Sequence, residues 1–290
     1  MPDVRVDPLT GRRVVIAPAR ARRPGAGVPH VPPPTAEELE SCPFCESREE
    51  RTPPETLALP ARTPRDSPGW AVRVVPNLYP AFERQEVVVH APHHVRSFAE
   101  LDDAQVALVA EAWRLRAAAA RDEGIPYVHA LVNEGREAGA SLAHSHSQLV
   151  CMSDVPPLVA AEQTAALKTL LEEPCDLGVA HHGGVATVCH PAGRAPYEMV
   201  IGRPEPSREG GLGSEGPADL LLALRDAVRR LRTVEGPVPW NAWLHDGDHP
   251  HVELVPRLAV FAGVELGAGI YVNPLPPERA AELLGAAVPS

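Results

Sequence analysis

Two histidines and a glutamine alternate along one short segment, His144-x-His146-x-Gln148. On a β-strand successive side chains point to opposite faces, so residues at this spacing line one side. Two imidazoles and an amide suit a site better than an apolar core face. The plain alternative is a solvated polar strand face with two hydrogen-bonded histidines. The loop ahead of the strand, Asn133-Glu134-Gly135-Arg136-Glu137-Ala138-Gly139-Ala140-Ser141, shifts the balance. Its glycines, small residues and donors allow close backbone approach to an anion.

A second set comprises Cys42 and Cys45 in a C-x-x-C pair, with His94 and His144. Two thiolates and two imidazoles make a tetrahedral Cys2His2 zinc site. The alternatives are free thiols or a redox pair. A thioredoxin-type pair lies between a strand and a helix, whereas this one lies between proline-rich loops. A third cluster, His245, His249, His251 and Glu253, follows much later in the chain.

Composition narrows the classes. The chain has 290 residues, 44% hydrophobic and 22% charged, which excludes global disorder and suits one large domain or two average ones. The net charge of −11 argues against a broad surface for a nucleic acid polymer, though not against a small phosphate ligand. There is no apolar run of membrane-span length and no signal-peptide core at the N-terminus, so the expectation is a cytoplasmic protein without a membrane partner. Five cysteines are too few for a disulfide scaffold.

The elements that must position these residues can be read along the chain. Val4 to Ala17 reads as two short strands around the turn Asp7-Pro8-Leu9-Thr10-Gly11. Residues 24–40 and 46–69 read as proline-rich extended loops. Trp70 to Val75 and Glu86 to His90 read as strands, and Asp102 or Asp103 caps a helix that stops at Gly124. Tyr127 to Val132 and His146 to Met152 are further strands. The pattern then recurs: Glu198 to Ile201 resembles Glu86 to Val89, and residues 217–232 form a second amphipathic helix. His249-Pro250-His251-Val252-Glu253 lines up with His144-Ser145-His146-Ser147-Gln148, 105 residues earlier. The implied architecture is α+β, two tandem modules with antiparallel sheets, each packed by a helix.

These residues resemble the galactose-1-phosphate uridylyltransferase family, within the histidine-triad superfamily of nucleotidyltransferases. The resemblance runs through Asp7-Pro8-Leu9-Thr10-Gly11, Ala17 to Pro24, Cys42-Pro43-Phe44-Cys45, Asn77, Pro92-His93-His94, Asn133, Gly139-Ala140-Ser141 and His144-x-His146-x-Gln148. It continues to Ile270-Tyr271-Val272-Asn273-Pro274 and covers most of the chain. It implies a histidine-triad-like catalytic module with a zinc site over residues 1–155 and a second such module over 156–290.

The resemblance further implies ping-pong transfer of a nucleoside monophosphate, UMP by the family's name, from a nucleotide-sugar to a sugar 1-phosphate. His146 matches the nucleophile that forms a covalent nucleotidyl-histidine; Ser141 and Gln148 match donors to the phosphoryl oxygens. Arg20, Arg23, Asn77, Asn133, Gly139 and Ala140 match substrate-binding positions. Cys42, Cys45, His94 and His144 match the ligands of a structural zinc. Some relatives hold a second metal, for which Glu162, His245, His249 and His251 are the candidates here; the bland alternative is a hydrogen-bonded polar strand. A homodimer is the implied assembly. Ser145 stands where the family usually has proline. Two rivals remain: a nucleotide-sugar phosphorylase of the ADP-glucose type, with phosphate as acceptor, and a catalytically silent zinc-stabilised nucleotide-binding protein.

Overall fold

The turn at Asp7 to Gly11 folds the chain back so that β1 (Asp3–Val6) and β2 (Arg13–Ile16) pair antiparallel. The computed structural model describes residues 3–22, 28–205, 211–213 and 216–288. A short helix α1 (Ala36–Ser41), capped by Thr35, and a short strand β3 (Leu57–Leu59) then occupy segments expected to be loops. Both had too few residues for a periodic signal to emerge among the prolines.

Strands β4 (Val72–Pro76) and β5 (Gln85–Val89) are the β-branched runs anticipated from sequence. Helix α2 (Asp103–Asp122) begins where the Asp102 carboxylate accepts from the Gln105 N–H at 2.7 Å. It buries Val106, Val109, Trp113, Ala117 and Ala120 along one face. Two long strands follow, β6 (Tyr127–Glu134) and β7 (His146–Met152).

In the second half, α3 (Pro157–Ala160) and α4 (Thr164–Glu172) precede β8 (Gly178–His182), β9 (Val185–Cys189) and β10 (Met199–Gly202). Helix α5 (Ala218–Glu235) leads into β11 (Trp240–His245) and β12 (His251–Pro256). The chain closes with α6 (Gly263–Ala268), β13 (Ile270–Asn273) and α7 (Pro277–Ala286).

Ten of these strands form one sheet, in the order β3-β4-β5-β7-β6-β11-β12-β10-β9-β8. The two halves therefore share one continuous sheet, joined where β6 pairs antiparallel with β11. Read outward from that pairing, each half has the same strand sequence around its own long helix. Helices α2 and α5 lie side by side, and Val109, Trp113, Leu224 and Val228 bury a common core against Val88, Leu149, Leu244 and Leu254 of the sheet. The β1–β2 hairpin pairs with β13 in a separate three-stranded sheet. Asp7 anchors it to the second half, 3.3 Å from the buried His190. Among the described residues, no helix is long and apolar enough to cross a membrane.

Candidate active site

Cys42 and Cys45 sit just beyond α1, and the loop carrying them is held by Arg48, which donates to the carbonyls of Leu39 and Cys42 at 2.8 and 2.9 Å. The two thiols meet His94 and His144 from remote parts of the chain. Cys42 Sγ lies 3.4 Å from His144 Nδ1, and Cys45 Sγ lies 3.5 Å from His94 Nδ1 and 3.7 Å from His144 Nδ1. A tetrahedral zinc with ordinary Zn–S and Zn–N bonds spans S···N edges of about 3.5 Å. The four donor atoms thus fit that ion. The Cys45 thiol is pushed up to about 11 by burial and by Cys42 beside it, a cost that a bound cation would remove. The outer nitrogens are also held: His94 Nε2 meets Glu38 Oε1 at 2.9 Å, and His144 Nε2 donates to the Ala91 carbonyl at 2.9 Å.

His146 begins β7, two residues past His144. Its Nδ1 donates to the His144 carbonyl at 2.7 Å, so the neutral ring carries its lone pair on Nε2. Burial pushes its pKa below the ordinary histidine range, partly opposed by that backbone bond. The Phe44 ring packs edge-on at 5.4 Å between centroids. Behind the strand, on its other face, the fully buried His90 meets Ser145 Oγ with Nδ1 and Ser147 Oγ with Nε2, both at 2.9 Å. Trp113 Nε1 donates to the same Ser147 hydroxyl at 2.8 Å. The serines on either side of His146 are therefore tied to a buried imidazole.

Gln148 shares the His146 face and is half-buried. Asn133, on β6, lies one residue beyond the Val132–Ser147 pair, which sets it beside His146. Its Oδ1 accepts from Asn241 Nδ2 at 2.7 Å. Between β6 and β7 the chain turns through Gly135 at φ +87° and Gly139 at φ +88°. A Cβ on Gly135 would also come within 2.7 Å of Pro239, so only glycine fits there. Ala140 N–H closes the loop on the Gly135 carbonyl, and the Ser141 side chain stays exposed. Gly135, Ala140, Ser141, Arg96 and Arg136 line a cavity of about 330 Å³ next to the Cys42 and His144 cluster.

Asn77 lies in the loop after β4, where its Oδ1 accepts from Tyr79 N–H at 3.0 Å. Arg20 is exposed on a 3-10 turn after β2, with no side-chain hydrogen bond to the His146 strand among the described residues. Arg23 lies outside the described residues.

The third cluster is brought together in part. Glu162 Oε1 is 3.1 Å from His251 Nε2, and Glu162 Oε2 is 3.6 Å from His245 Nδ1. One donor atom from each of these three residues is close enough to the others to hold a metal. His249 is not among them; its Nε2 donates to the Arg203 carbonyl at 2.7 Å. The hydrogen-bond partners of the rings set where each neutral imidazole carries its proton. Trp243 Nε1 can only donate, and it reaches His245 Nε2 at 2.7 Å, so a neutral His245 carries its proton on Nδ1. His251 Nδ1 donates to the His249 carbonyl at 3.1 Å. Burial opposes charge on His251, but Glu162 outweighs it and holds the imidazole above its ordinary range. Glu162 and His251 are close enough for an ion pair, and Glu162 Oε1, His245 Nδ1 and His251 Nε2 have no hydrogen-bond partner among the described residues.

Glu38, Gln85, His90 and Trp113 were missed by sequence reasoning. None has a motif spacing to the site; strand register and the fold of α1 bring them there.

The model of the galactose-1-phosphate uridyl transferase N-terminal domain matches residues 80–156. ADP-glucose phosphorylase of Arabidopsis thaliana is 28% identical over 328 aligned residues, 98% of this chain and 92% of that protein. A crystal structure of an ADP-glucose phosphorylase from the same plant, with bound ADP-glucose, has a TM-score of 0.82 at 26% identity and covers 99% of each chain. Galactose-1-phosphate uridylyltransferase of Streptomyces lividans is 29% identical over 163 residues, 54% of this chain and 40% of that protein.

Proposed function

This chain belongs to the galactose-1-phosphate uridylyltransferase family, and from that premise we propose that it transfers the nucleotidyl group of a nucleotide-sugar through His146, with ADP-glucose as donor and inorganic phosphate as acceptor. The observation that carries the transfer is the bond from His146 Nδ1 to the His144 carbonyl, which leaves Nε2 as the free nucleophilic nitrogen of a neutral ring. The donor and acceptor rest on the likeness to ADP-glucose phosphorylase over nearly the whole of both chains.

In the first step the Nε2 lone pair attacks the α-phosphorus. The bond from that phosphorus to the bridging oxygen breaks, and glucose 1-phosphate leaves with the electron pair. As the new P–N bond forms, charge grows on the α-phosphoryl oxygens, where the Gln148 amide and the Ser141 hydroxyl donate. The Nδ1 proton stays on the ring, its bond to the His144 carbonyl strengthening as the imidazole gains positive charge. In the second step an oxygen of inorganic phosphate attacks the same phosphorus, the P–N bond breaks, and its electrons return to Nε2. ADP is released and the neutral ring is restored. Asn133, Gly139, Ala140, Asn77, Arg20 and Arg23 are read as the substrate-binding set.

Zinc held by Cys42, Cys45, His94 and His144 would be structural, fixing the start of β7. Glu162, His245 and His251 are read as an ion-paired buttress. Residues 1–155 and 156–290 are read as two histidine-triad-like modules, a reading supported by their matching strand orders.

The second reading, uridylyl transfer from UDP-glucose to a hexose 1-phosphate, uses the same intermediate. It is favoured by the Streptomyces relative. Incubation with ADP-glucose or UDP-glucose labelled at the α-phosphate separates the two. The expected result is acid-labile, base-stable label from ADP-glucose, discharged as ADP by phosphate. Label taken only from UDP-glucose and discharged only by hexose 1-phosphate would establish the second reading. No label from either would overturn both.

A further inference from the structure

Gln148 helps a phosphoryl oxygen only if its NH2, and not its carbonyl, faces the substrate. The two ends of an amide are nearly equal in size, so packing alone does not choose between them. Here the choice is made by a chain of bonds that starts on the backbone. Ala81 N–H lies 2.9 Å from Gln85 Oε1. A backbone N–H can only donate, so that end of Gln85 is its oxygen and the other end is Nε2. Gln85 Nε2 in turn lies 2.6 Å from Gln148 Oε1. The Gln148 carbonyl is thereby occupied, and its NH2 is left for a ligand.

Register explains why these two glutamines meet. β5 and β7 pair antiparallel, with Gln85 opposite Val150 and Val87 opposite Gln148. Gln85 and Gln148 are diagonal neighbours on one face, within reach for long side chains. The loop that supplies Ala81 also carries Asn77, whose N–H donates to the Gln85 carbonyl at 2.8 Å.

We propose that Gln85 is a positioning residue for nucleotidyl transfer: it relays the direction of the Ala81 N–H to Gln148 and so turns the Gln148 amide donor toward the phosphoryl group. This rests on the reading of Gln148 as a phosphoryl donor. It makes the conformation of the loop at residues 77–84 part of what sets the reaction rate.

The test is a double-mutant cycle read by single-turnover nucleotidylation with ADP-glucose, alongside equilibrium binding of the same compound. Gln85→Glu replaces a donor by an acceptor, so the Gln148 amide turns to meet it and offers its carbonyl to the phosphate. The rate should fall by about tenfold to a hundredfold, a fraction of what losing an oxyanion donor outright costs, with Kd changed by less than about threefold. Gln85→Met, which keeps the length without a polar end, should lose less rate and covers the case in which the glutamate variant fails to fold. In a Gln148→Ala background, Gln85→Glu should add no more than about twofold. The same loss in both backgrounds would overturn the inference, since charge or misfolding would then be the cause, and would leave the role of Gln148 intact. If Gln148→Ala alone reacts at the wild-type rate, the reading beneath the inference falls, and the inference with it.

Discussion

Leu131 of β6 and Trp243 of β11 stand directly opposite each other in the strand pairing that joins the two halves of the sheet. Outward from this pair, the register reaches Gln148 on one side and Glu253 on the other. His146 and His251 therefore occupy matching places, each donating Nδ1 to the carbonyl two residues before it, at 2.7 and 3.1 Å. The likeness ends at Nε2. His251 Nε2 faces Glu162, and the Glu253 carboxylate is paired with Arg194 where Gln148 offers an amide.

Label from the nucleotide-sugar should accordingly be found on His146 and not on His251. His146→Ala should form no adduct, while His251→Asn should still form one despite a lower melting temperature. Mapping the labelled peptide checks this. Label on His144 or His251 would sink the mechanism.

Cys42→Ser should lose zinc and stability together, because the cluster ties α1 to a strand start about 100 residues away and metal binding adds to folding free energy. Metal analysis should give one zinc per wild-type chain, unchanged in Glu162→Gln. Two equivalents, one of them lost in Glu162→Gln, would mean that His245 turns its proton to Nε2 and that the second cluster does bind an ion.

Gln148→Glu should slow nucleotidylation by about 10²–10³, or about 3–4 kcal/mol, because it removes a donor aimed at developing charge. Binding should weaken less than the rate. An affinity loss as large as the rate loss would make the residue a ground-state contact only.

His90→Phe should destabilise the fold by about 1–3 kcal/mol, because it leaves the buried Ser145 hydroxyl without its imidazole partner while Ser147 keeps the Trp113 N–H. Urea unfolding measures it. An unchanged midpoint would show that Ser145 finds another partner.

Asp7 gives a stability prediction with a pH sign. Burial alone would raise its pKa, but His190, the Thr10 hydroxyl and Arg12 outweigh it and hold the carboxyl well below its usual range. A depressed acid stabilises the fold above its unfolded pKa of about 4, and that stability is lost as pH falls through the native value. Asp7→Asn should cost about 3–5 kcal/mol at pH 7, as for one partner removed from a buried pair. The gap between variant and wild type should narrow below about pH 4. A gap that stays constant down to pH 3 would rule out the ionic contribution.

The sequence made some of this legible and hid the rest for physical reasons. The alternation of His144, His146 and Gln148 reads as a strand because a period of two is visible over a few residues, and β7 begins at His146. Helix α2 was marked by its Asp102 cap and Gly124 stop. Helix α1, with only six residues among prolines, had no room for a pattern. His249 was grouped with His251 by H-x-H spacing, yet it precedes β12 and turns its ring to Arg203. Gln85 and His90 depend on which strands lie next to β7, a fact of topology that no local window contains.

The seam between β6 and β11 also bears on how the chain is made. On the ribosome β6 is complete at Glu134, but its partner begins only at Trp240, 106 residues later. At about 5–20 residues per second that interval lasts roughly 5–20 s. From the completion of β7 at Met152 until Trp240 is made, the first half presents β6 as an open strand edge of the kind that pairs with neighbouring chains. Slow synthesis through residues 153–240 would prolong the exposure of that edge.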